Sequence, residues 1–387
     1  MKIILFANTD WYLFNFRRTL AKSLVEAGHS VVLLSPPGPY GQQLQDLGFR
    51  WLPAPMLRKS LNPFREIGLL FWLRRLIRTE AADLVHGFTI KCAVYGSLAA
   101  RLASWRAGYP ARINAVAGMG YVFTSEDLKA RLLRPLVRSL LKLALGGKGA
   151  RLILQNPDDV GLFEKARLVK AAQIRLIPGS GVDCERFSPR LLASQPNPSS
   201  GFRVLLPARL LWDKGLAEFI GAAQQLRAQG RNIQFLLAGD PDPGNPAAVP
   251  ETQVRVWVNQ GVVLWLGHVD DMPGLLATVH VVALPSYREG LPKGLIEAGA
   301  CGLALVTCDV PGCREVVNDG VDGLLVPAKD SPSLAAAIAR LQDDPGLRLR
   351  LGAAARQKVL SEFDERIVIN RTLDVYTELF DLSRLGS

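Results

Sequence analysis

Two carboxylates that follow a short apolar strand are the side chains in this sequence best suited to chemistry. Glu289 and Glu297 lie in the stretch 285–298, directly after the apolar residues 281–284. Pro292 predicts the first turn of a helix, because its missing N–H is not needed there. We therefore expect Glu289 in a loop and Glu297 two turns into a helix. Carboxylates bind hydroxyl groups and a helix start binds phosphate, and a sugar nucleotide offers both.

Two cations after another predicted strand could bind the same kind of ligand. Residues 203–206 read as a buried strand, and Arg209 and Lys214 follow it. Ligands of open α/β sheets bind beyond the carboxyl ends of the strands. Fixed positive charges there would stabilise the negative charge that a leaving diphosphate gains in the transition state. Taken alone, the two glutamates and the two cations could also be solvated surface charges.

Strands and helices alternate along the whole chain, which predicts parallel, doubly wound sheets. In the first half the strands are expected at 2–7, 31–34, 49–52, 84–86, 113–116, 152–154 and 174–177. The helices between them include 14–27, 63–78, 93–103 and 128–145. The Pro- and Ser-rich segment 192–201 is typical of an interdomain linker. After it, strands are expected at 203–206, 233–237, 262–266, 281–284, 303–306 and 324–326, and a mostly helical stretch at 353–385.

Composition narrows the class of protein and of partner. The chain has 387 residues, a formal net charge of +11 and five cysteines. No Cys-x-x-Cys pair occurs, so we expect reduced cytosolic thiols rather than a disulfide or metal framework. Neither a signal peptide nor a transmembrane helix is expected from the sequence. The positive charge suits nucleic acid or an anionic membrane, or it marks a merely basic surface.

The motif around the two glutamates resembles a known family. Glu289-x7-Glu297 within Pro-Ser-x-x-Glu-Gly-x-Pro, followed by the segment 312–327, resembles the retaining glycosyltransferases of family 4. The resemblance implies the α/β fold GT-B, in which two Rossmann-like domains with parallel sheets face each other across a cleft. Residues 1–190 would form an acceptor- and membrane-facing domain, completed by a helix at about 367–387. Residues 200–366 would form the nucleotide-sugar-binding domain.

The resemblance also implies roles for the charged residues. Glu297 resembles the glutamate that binds the ribose hydroxyls, and Glu289 the one that faces the donor sugar. Arg209 and Lys214 match the Arg-x4-Lys-Gly motif that contacts the diphosphate. Further donor-binding candidates are Gly290, Leu291, Gly239 and Val269. Retention in this family is ascribed to a front-face reaction in which the departing phosphate helps to deprotonate the acceptor, so no metal, no cofactor beyond the UDP-sugar and no protein base are expected.

The first domain should supply the acceptor contacts. Candidates after its strands are Asn8, Thr9, Asp10, His86, Thr89, Lys91, Gly118 and Gly120. Many family members carry a glycine-rich loop after the first strand and a histidine in the region of 114–124. This chain has neither, so no catalytic histidine is assigned, and His86 could equally be structural. The segments 86–99 and 118–123 resemble a bacterial branch that adds N-acetylgalactosamine or related sugars to polyprenyl-diphosphate-linked sugars.

Basic residues near apolar ones suggest where a membrane would bind. On the predicted helix 128–145 one face carries Arg131, Arg134, Arg138 and Lys142, and the opposite face carries Leu132, Leu136, Leu140 and Leu143. A second basic cluster lies in residues 58–78, near Leu69 to Trp72. Such segments suit an anionic bilayer, although the apolar faces could instead be core. Nucleic acid is the weaker interpretation, because aromatic residues are not interleaved with the cations of the helix.

These features predict a metal-independent, retaining glycosyltransferase. It would move a sugar, expected to be an N-acetylhexosamine, from a UDP-sugar to a polyprenyl-diphosphate-linked acceptor in surface glycan assembly. It would work in the cytoplasm, peripherally bound to the inner face of the cell membrane. Alternatives are an epimerase or hydrolase with the same nucleotide pocket, a transferase with another acceptor, or a non-catalytic scaffold. A Rossmann dehydrogenase is disfavoured because no Gly-x-Gly-x-x-Gly follows a strand.

Overall fold

Two compact units make up the chain. The computed structural model describes residues 1–58, 60, 62–104, 110–116, 128–189, 201–242 and 244–384. The first unit comprises Met1–Ser180 together with Val368–Ser387, and the second comprises Gly181–Ile367. Each unit contains one parallel sheet with helices packed on it, as the alternation of elements predicted.

Seven parallel strands form the sheet of the first unit. They are β1 Lys2–Phe6, β2 Ser30–Ser35, β3 Arg50–Pro53, β4 Leu84–Phe88, β5 Ala111–Ala115, β6 Ala150–Leu154 and β7 Ile174–Leu176. Their order in the sheet is β3-β2-β1-β4-β5-β6-β7. The order of the strands reverses between β1 and β4, whose register pairs Leu5 with His86. Such a reversal is the point where doubly wound sheets bind ligands.

Helices cover both faces of this sheet. They are α1 Asp10–Phe16, α2 Arg18–Glu26, α3 Gly41–Asp46, α4 Pro63–Thr79, α5 Ile90–Ala103, α6 Leu128–Leu145 and α7 Pro157–Lys165, with a 3-10 turn at Ala171–Gln173. The last helix of the chain, residues Glu365–Arg384, also packs on this unit through its later turns. Its Val375, Tyr376 and Leu379 join the core that includes Leu5 and Phe88.

The second unit repeats the design with six strands. They are β8 Phe202–Pro207, β9 Ile233–Ala238, β10 Leu264–Trp265, β11 Val281–Leu284, β12 Ala304–Cys308 and β13 Leu324–Val326. Their order is β10-β9-β8-β11-β12-β13, so the reversal falls between β8 and β11. These strands read as continuous apolar runs, because parallel strands are buried on both faces.

The helices of the second unit complete its layers. They are α8 Leu216–Ala228, α9 Glu251–Asn259, α10 Met272–Leu276, α11 Lys293–Ala300, α12 Cys313–Val316, α13 Ser331–Asp343 and α14 Pro345–Lys358, with a 3-10 turn at Trp212–Lys214. A π-helical turn at Val359–Phe363 leads into α15, Glu365–Arg384. A single core cluster runs from Val182 to Phe363 through both faces of the sheet.

Most predicted elements are present, with shifts at their ends. The helix expected at 14–27 is wrong as a single element: it starts at Asp10, because Thr9 caps it, and it breaks at Arg17. Pro292 is the N-cap of α11 rather than its first helical residue, since its ψ of 98° is extended. Glu297 therefore lies one turn into the helix, not two. The proposed linker lies, up to residue 200, outside the described residues.

Two further sequence expectations concern the whole chain. Among the described residues, no helix is both long enough and apolar enough to cross a membrane. All five cysteines are free and buried. Burial raises the pKa of the thiols of Cys92 and Cys184 to about 12, so they stay protonated at neutral pH.

Glu378 ties α15 to the sheet of the first unit, and its removal tests that tie. Its Oε1 accepts a hydrogen bond of 2.7 Å from Nη2 of the buried Arg151, and Arg175 binds the same carboxylate. We expect Glu378→Gln to lower the free energy of unfolding by about 1–3 kcal/mol at neutral pH, because the buried cation loses its partner. Denaturant unfolding measures this, with Asp374→Asn on an exposed part of α15 as the control.

The effect of this substitution should depend on pH. Burial by itself would raise the pKa of Glu378, but hydrogen bonds from Arg151 and Arg175 outweigh it and lower the pKa from 4.5. A lowered carboxyl pKa stabilises the fold above the unfolded pKa, and this contribution is lost as the pH falls through the folded pKa. The difference from wild type should therefore shrink below about pH 4.5. An equal difference at pH 7 and pH 3 would contradict this account.

Candidate active site

Two loops of the second unit meet where its strand order reverses. β8 and β11 pair in parallel, with Val204 opposite Val281. The loops that follow them, 208–215 and 285–292, therefore leave the sheet side by side. They are joined directly, because the backbone N–H of Tyr287 donates to the carbonyl oxygen of Asp213 over 2.9 Å.

This contact brings together two of the predicted site residues. Nζ of Lys214 donates to Oε1 of Glu289 at 2.5 Å, and the hydroxyl of Ser286 donates to the same oxygen at 2.7 Å. Both side chains of the ion pair are largely buried, with 17% and 12% of their surface exposed. Within the described residues no donor reaches Oε2 of Glu289, so this oxygen can accept a ligand hydroxyl.

Two glycines permit this close approach. Gly215 has φ +73° and Gly312 has φ +87°, a region that favours glycine. A Cβ at Gly215 would collide with the carbonyl oxygen of Pro285, and one at Gly312 would collide with the backbone of Glu289. The second approach is fixed by a hydrogen bond of 3.0 Å from the N–H of Glu289 to Pro311. Backbone packing thus sets the position of both members of the ion pair.

Sequence reasoning missed a second support of this loop. The hydroxyl of Tyr287 donates to both carboxylate oxygens of Glu218 on α8, at 2.9 and 2.8 Å. Glu218 is 8% exposed, and this hydroxyl is its hydrogen-bond donor within the described structure. Burial and the neighbouring Glu218 raise the pKa of Tyr287, which stays protonated. The signal in the sequence was a glutamate on the apolar helix that follows Lys214, which has no obvious partner in the chain order.

Arg209 contacts a different carboxylate from the one that Lys214 contacts. Its Nη1 donates to Oδ2 of Asp242 at 2.7 Å, and just over half of its side chain is exposed. The two predicted cations therefore contact different carboxylates in this structure. The side chain of Lys214 is largely buried against Glu289, whereas Arg209 lies on the surface, where its side chain can exchange Asp242 for a ligand anion.

Glu297 lies near the middle of α11, and 15% of its side chain is exposed. Nζ of Lys293, one turn earlier, is 3.7 Å from its Oε1. Burial raises the pKa of Glu297, and the positive charges of Lys293 and Arg186 oppose this shift in part. A carboxylate that is buried and only loosely paired gains from hydroxyl donors supplied by a ligand.

The other donor-binding candidates have different positions in the unit. The N–H of Gly239 donates to the carbonyl of Gly267 over 2.8 Å, and its own carbonyl accepts from Trp265, so its backbone is already bonded. The side chains of Val269 and Leu291 pack partly against the core of the unit. Gly290 belongs to the same loop as Glu289 and directly precedes Leu291.

In the first unit, the loop after β1 is held by its own side chains. Asp10 is 3% exposed, and its Oδ2 accepts from the N–H groups of Tyr40 and Gly41 at 2.7 and 2.9 Å. The hydroxyl of Thr9 caps α1 by accepting from the N–H of Tyr12. Asn8 lies between them and β1 and is half-buried. Asp10 and Thr9 thus have structural partners, whereas Asn8 lies at the carboxyl end of β1.

The candidates after β4 are also mostly engaged. His86 is buried, with Nδ1 2.6 Å from the hydroxyl of Tyr376, and burial holds its pKa well below the ordinary value. Nζ of Lys91 binds the carbonyls of Leu57 and Ser60 and the carboxylate of Glu66, all within 2.9 Å. Thr89 has φ +72° at the start of α5. Gly118 and Gly120 lie outside the described residues.

The described part of α6 exposes two of the leucines that the sequence placed opposite the cations. In α6, Leu141 and Leu145 are buried, whereas Leu140 and Leu143 are 38% and 51% exposed beside the exposed Lys142. Of the predicted leucine face, Leu140 and Leu143 are therefore exposed rather than core, and the core contacts a neighbouring stripe of the helix. Arg138, also exposed, donates to the carbonyl of Ala166. The side chains of Arg131 and Arg134 lie outside the described residues.

A second exposed apolar stripe lies on α4. Phe64, Ile67 and Phe71 are 85%, 52% and 56% exposed, whereas Leu69, which the sequence grouped with the cations, is buried. The three share one face, since they are three and four residues apart. Exposed basic residues on the same helix are Arg65, Arg75 and Arg78. α4 packs on α5, and α5 packs on α6, so both stripes belong to one run of helices.

The geometry of the second unit suits an anionic, hydroxyl-rich ligand. One buried cation, one buried carboxylate with a spare oxygen and a second buried carboxylate lie on the loop and helix that follow β8 and β11. In the described part of the chain, no group of three or more His, Cys, Asp or Glu side chains could hold a metal ion.

Comparison with known proteins decides the family. The model of "Glycosyl transferases group 1" matches residues 201–344, and that of "Glycosyl transferase 4-like domain" matches residues 16–179. The chain is 31% identical to the N,N'-diacetylbacillosaminyl-diphospho-undecaprenol alpha-1,3-N-acetylgalactosaminyltransferase of Campylobacter jejuni, over 97% of this chain and 98% of that relative. The chain belongs to the family 4 glycosyltransferases.

One further relative and two solved structures are also similar to the chain, the structures in fold. This glycosyltransferase is 27% identical to the UDP-Gal:alpha-D-GlcNAc-diphosphoundecaprenol alpha-1,3-galactosyltransferase of Escherichia coli, over 88% of this chain and 87% of that relative. A glycosyltransferase from Rickettsia africae superposes with a TM-score of 0.78 at 20% identity, covering 98% of each chain. Anabaena HepE in complex with UDP gives 0.76 at 18% identity, covering 98% of this chain and 100% of that one. The predicted GT-B fold class is confirmed.

The Tyr287–Glu218 contact gives a test of how the glycosyltransferase supports its Glu289 loop. Tyr287→Phe removes the donor of a buried carboxylate and should lower the free energy of unfolding by about 1–3 kcal/mol. The double variant Tyr287→Phe/Glu218→Leu removes both polar partners and should lose less than the sum of the single variants. Thermal or denaturant unfolding measures this cycle. Strict additivity would show that the two side chains do not stabilise each other.

Proposed function

We propose that this glycosyltransferase transfers an N-acetylhexosamine, with retention at the anomeric carbon and without a metal ion, from a UDP-sugar to a polyprenyl-diphosphate-linked sugar. The observation that carries the proposal is the buried Lys214–Glu289 pair at the strand reversal of the second unit. This pair stands in a chain that is similar, over nearly its full length, to a transferase named for an undecaprenyl-diphosphate-linked substrate.

The donor is proposed from the chemistry of the second unit. Glu297 would accept hydrogen bonds from the two ribose hydroxyls, which compensate for the burial of its charge. Lys214 and Arg209 would contact the diphosphate, and Val269 the base through its backbone. The name of the Escherichia coli relative includes UDP-Gal, and the Anabaena structure contains UDP, which supports a uridine nucleotide here as well.

The acceptor is proposed from the relatives. Both the Campylobacter jejuni and the Escherichia coli transferase are named for a sugar linked to undecaprenyl diphosphate. The first adds N-acetylgalactosamine and the second galactose, so the name of the relative with the higher identity supports an N-acetylhexosamine. The product would be a lipid-linked glycan precursor that a later transferase extends.

The proposed chemistry assigns separate tasks to the two members of the ion pair. As the glycosidic bond breaks, negative charge grows on the leaving UDP, and Nζ of Lys214 would stabilise it at a fixed position. Glu289 would hold Lys214 with Oε1 and bind a sugar hydroxyl with Oε2, which sets the donor sugar in the reactive pose. The departing phosphate would take the proton of the acceptor hydroxyl, so attack comes from the face that the leaving group occupies.

The location at the membrane is part of the proposal. The exposed apolar stripes of α4 and α6 are flanked by exposed cations, a pattern typical of helices that lie in the interface of an anionic bilayer. Each basic residue at such a surface contributes about 1 kcal/mol. A polyprenyl chain holds its sugar at the bilayer, so a peripheral position on the cytoplasmic face would bring enzyme and acceptor together.

A donor and acceptor assay tests the proposed roles. Lys214→Ala should lower kcat by about 10²–10³-fold, the cost of removing one well-placed donor from a transition state. Glu297→Ala should instead weaken UDP binding by about 10- to 100-fold, because it removes charged hydrogen bonds to the ribose. Mass spectrometry of the lipid product and calorimetric titration of UDP separate the two effects, with Arg255→Ala on exposed α9 as the control.

The same assay distinguishes the alternatives. Release of free sugar from the UDP-sugar without acceptor would indicate a hydrolase, and conversion to an isomeric UDP-sugar an epimerase. Wild-type activity of Lys214→Ala together with wild-type UDP affinity of Glu297→Ala would remove both role assignments.

Vesicle flotation tests the membrane surface. Phe64→Ser/Phe71→Ser should weaken binding to anionic vesicles by at least about tenfold, since each fully inserted aromatic side chain contributes about 1.5–3 kcal/mol. Leu349→Ser is the matched control, because Leu349 is an exposed apolar residue (68%) of the second unit. Equal binding of both variants, or no binding of the wild type, would contradict the proposal.

A further inference from the structure

One buried arginine of the first unit forms no ion pair within the part of the chain that the structure describes. Arg17 lies at the break between α1 and α2 and is 6% exposed. Its hydrogen bond within the described structure runs from Nη2 to the hydroxyl of Tyr12, at 2.9 Å. Its Nε is buried without a partner. No carboxylate of the described residues forms an ion pair with it, and Asp10, the acidic residue nearest in the chain, accepts from backbone N–H groups instead.

The guanidinium is placed by aromatic rings rather than by acids. Its Cζ lies 4.3 Å from the centre of the Phe88 ring and 5.5 Å from that of Tyr12. Cation–π contacts of this kind orient an arginine and offset part of the free energy lost on its desolvation. They do not replace an anion, because a buried charge without a partner is strongly unfavourable. The aromatic rings thus orient the guanidinium, and an anionic ligand could neutralise its charge.

A second unpartnered polar atom lies against the same ring. The imidazole of His86 is centred 4.1 Å from the Phe88 ring. Its Nδ1 contacts the hydroxyl of Tyr376, whereas Nε2 is buried with no hydrogen-bond partner among the described residues. Two unsatisfied nitrogens, on Arg17 and His86, thus flank Phe88. Unsatisfied buried polar groups are rare in folded proteins and require an explanation.

Their place in the sheet suggests the explanation. Phe88 is the last residue of β4, and β4 pairs with β1 where the strand order of the first unit reverses. The carboxyl ends of strands at such a reversal form the ligand site of doubly wound sheets. In the second unit the equivalent place carries Lys214 and Glu289. In the first unit it carries Arg17, a permanent cation.

We propose that Arg17 binds the diphosphate group of the lipid-linked acceptor, with His86 contributing a hydrogen bond through Nε2. This assignment rests on the proposed function for the identity of the acceptor, but the anion site itself rests on the unpaired charge. A planar guanidinium with free N–H groups suits phosphate oxygens, which it can bind in a bidentate manner. The acceptor diphosphate would thus be held by the first unit while the donor diphosphate is held by the second.

Binding of inorganic pyrophosphate tests the anion site without any turnover. The full-length protein is first saturated with UDP, which occupies the donor site, and pyrophosphate is then titrated by calorimetry. Wild type should bind it, and Arg17→Met should bind it about 10- to 100-fold more weakly, the loss expected for a charged hydrogen bond. Arg18→Met is the matched control, because Arg18 is the adjacent cation, stacks on Phe14 and should keep wild-type affinity.

Stability without ligand separates binding from a structural role. If Arg17 serves to bind an anion, Arg17→Met removes a buried charge that is unpaired in the absence of ligand. The melting temperature of the ligand-free protein should then stay the same or rise. Pyrophosphate should raise the melting temperature of the wild type but not that of Arg17→Met. A fall in the melting temperature with equal pyrophosphate affinity in both proteins would overturn the proposal. Should Arg17→Met not fold, Arg17→Lys decides by the same titration, since it keeps the charge but loses the bidentate geometry.

Kinetics with a polyprenyl-diphosphate-linked sugar test the source of the diphosphate. Arg17→Met should raise the KM for this acceptor about 10- to 100-fold and leave the KM for the UDP-sugar unchanged. An unchanged acceptor KM would overturn the assignment to the acceptor. If the wild type transfers no sugar to any such acceptor, the proposed function fails, and the pyrophosphate titration still decides whether Arg17 forms an anion site.

Discussion

The ion pair between Lys214 and Glu289 depends on how closely two backbones approach each other. β8 and β11 are neighbours in a parallel sheet, so the loops at their ends begin side by side. Gly215 then lets these two loops touch without a Cβ between them, and Gly312 lets a third segment approach the backbone of Glu289. Both side chains of the pair are largely buried, and no donor in the described part of the chain reaches Oε2 of Glu289. A lysine held in this way has a fixed position, as electrostatic stabilisation of a transition state requires.

The two units share a reversal of strand order but differ in the side chains that lie beside it. Each sheet reverses its strand order once, at β1–β4 in the first unit and at β8–β11 in the second. The second unit places an ion pair there and supports it with the Tyr287–Glu218 contact. The first unit places Arg17 there beside aromatic rings, and no acidic side chain among the described residues forms an ion pair with it. A paired charge keeps one position, which suits the stabilisation of a transition state. A buried charge without a partner gains free energy chiefly when an anion binds to it.

Two acceptor-side candidates from the sequence have structural partners within the first unit. Lys91 and Asp10 follow strands, as ligand-binding residues do, yet each has all of its observed contacts within the first unit. Arg17 lies inside the helix predicted at 14–27, where a basic residue in an amphipathic pattern is ordinary. Only its surroundings distinguish it. A sequence pattern reports the type of a side chain and its place in an element, but not whether a partner from a distant element has already satisfied it.

The alternation of strands and helices, the two similar halves and the loop that carries Glu289 could all be predicted from the sequence, since they depend on local periodicity and on residues adjacent in the chain. The family could be predicted as well, because the motif residues are contiguous. Which charged and polar side chains are partners could be seen only in the folded chain. Lys214 and Glu289, Arg209 and Asp242, and His86 and Tyr376 are far apart in the chain, and their contacts arise from strand order and helix packing. The same reason explains which residues of α6 are core: contacts with the rest of the first unit, not the helical wheel, select Leu141, Ala144 and Leu145.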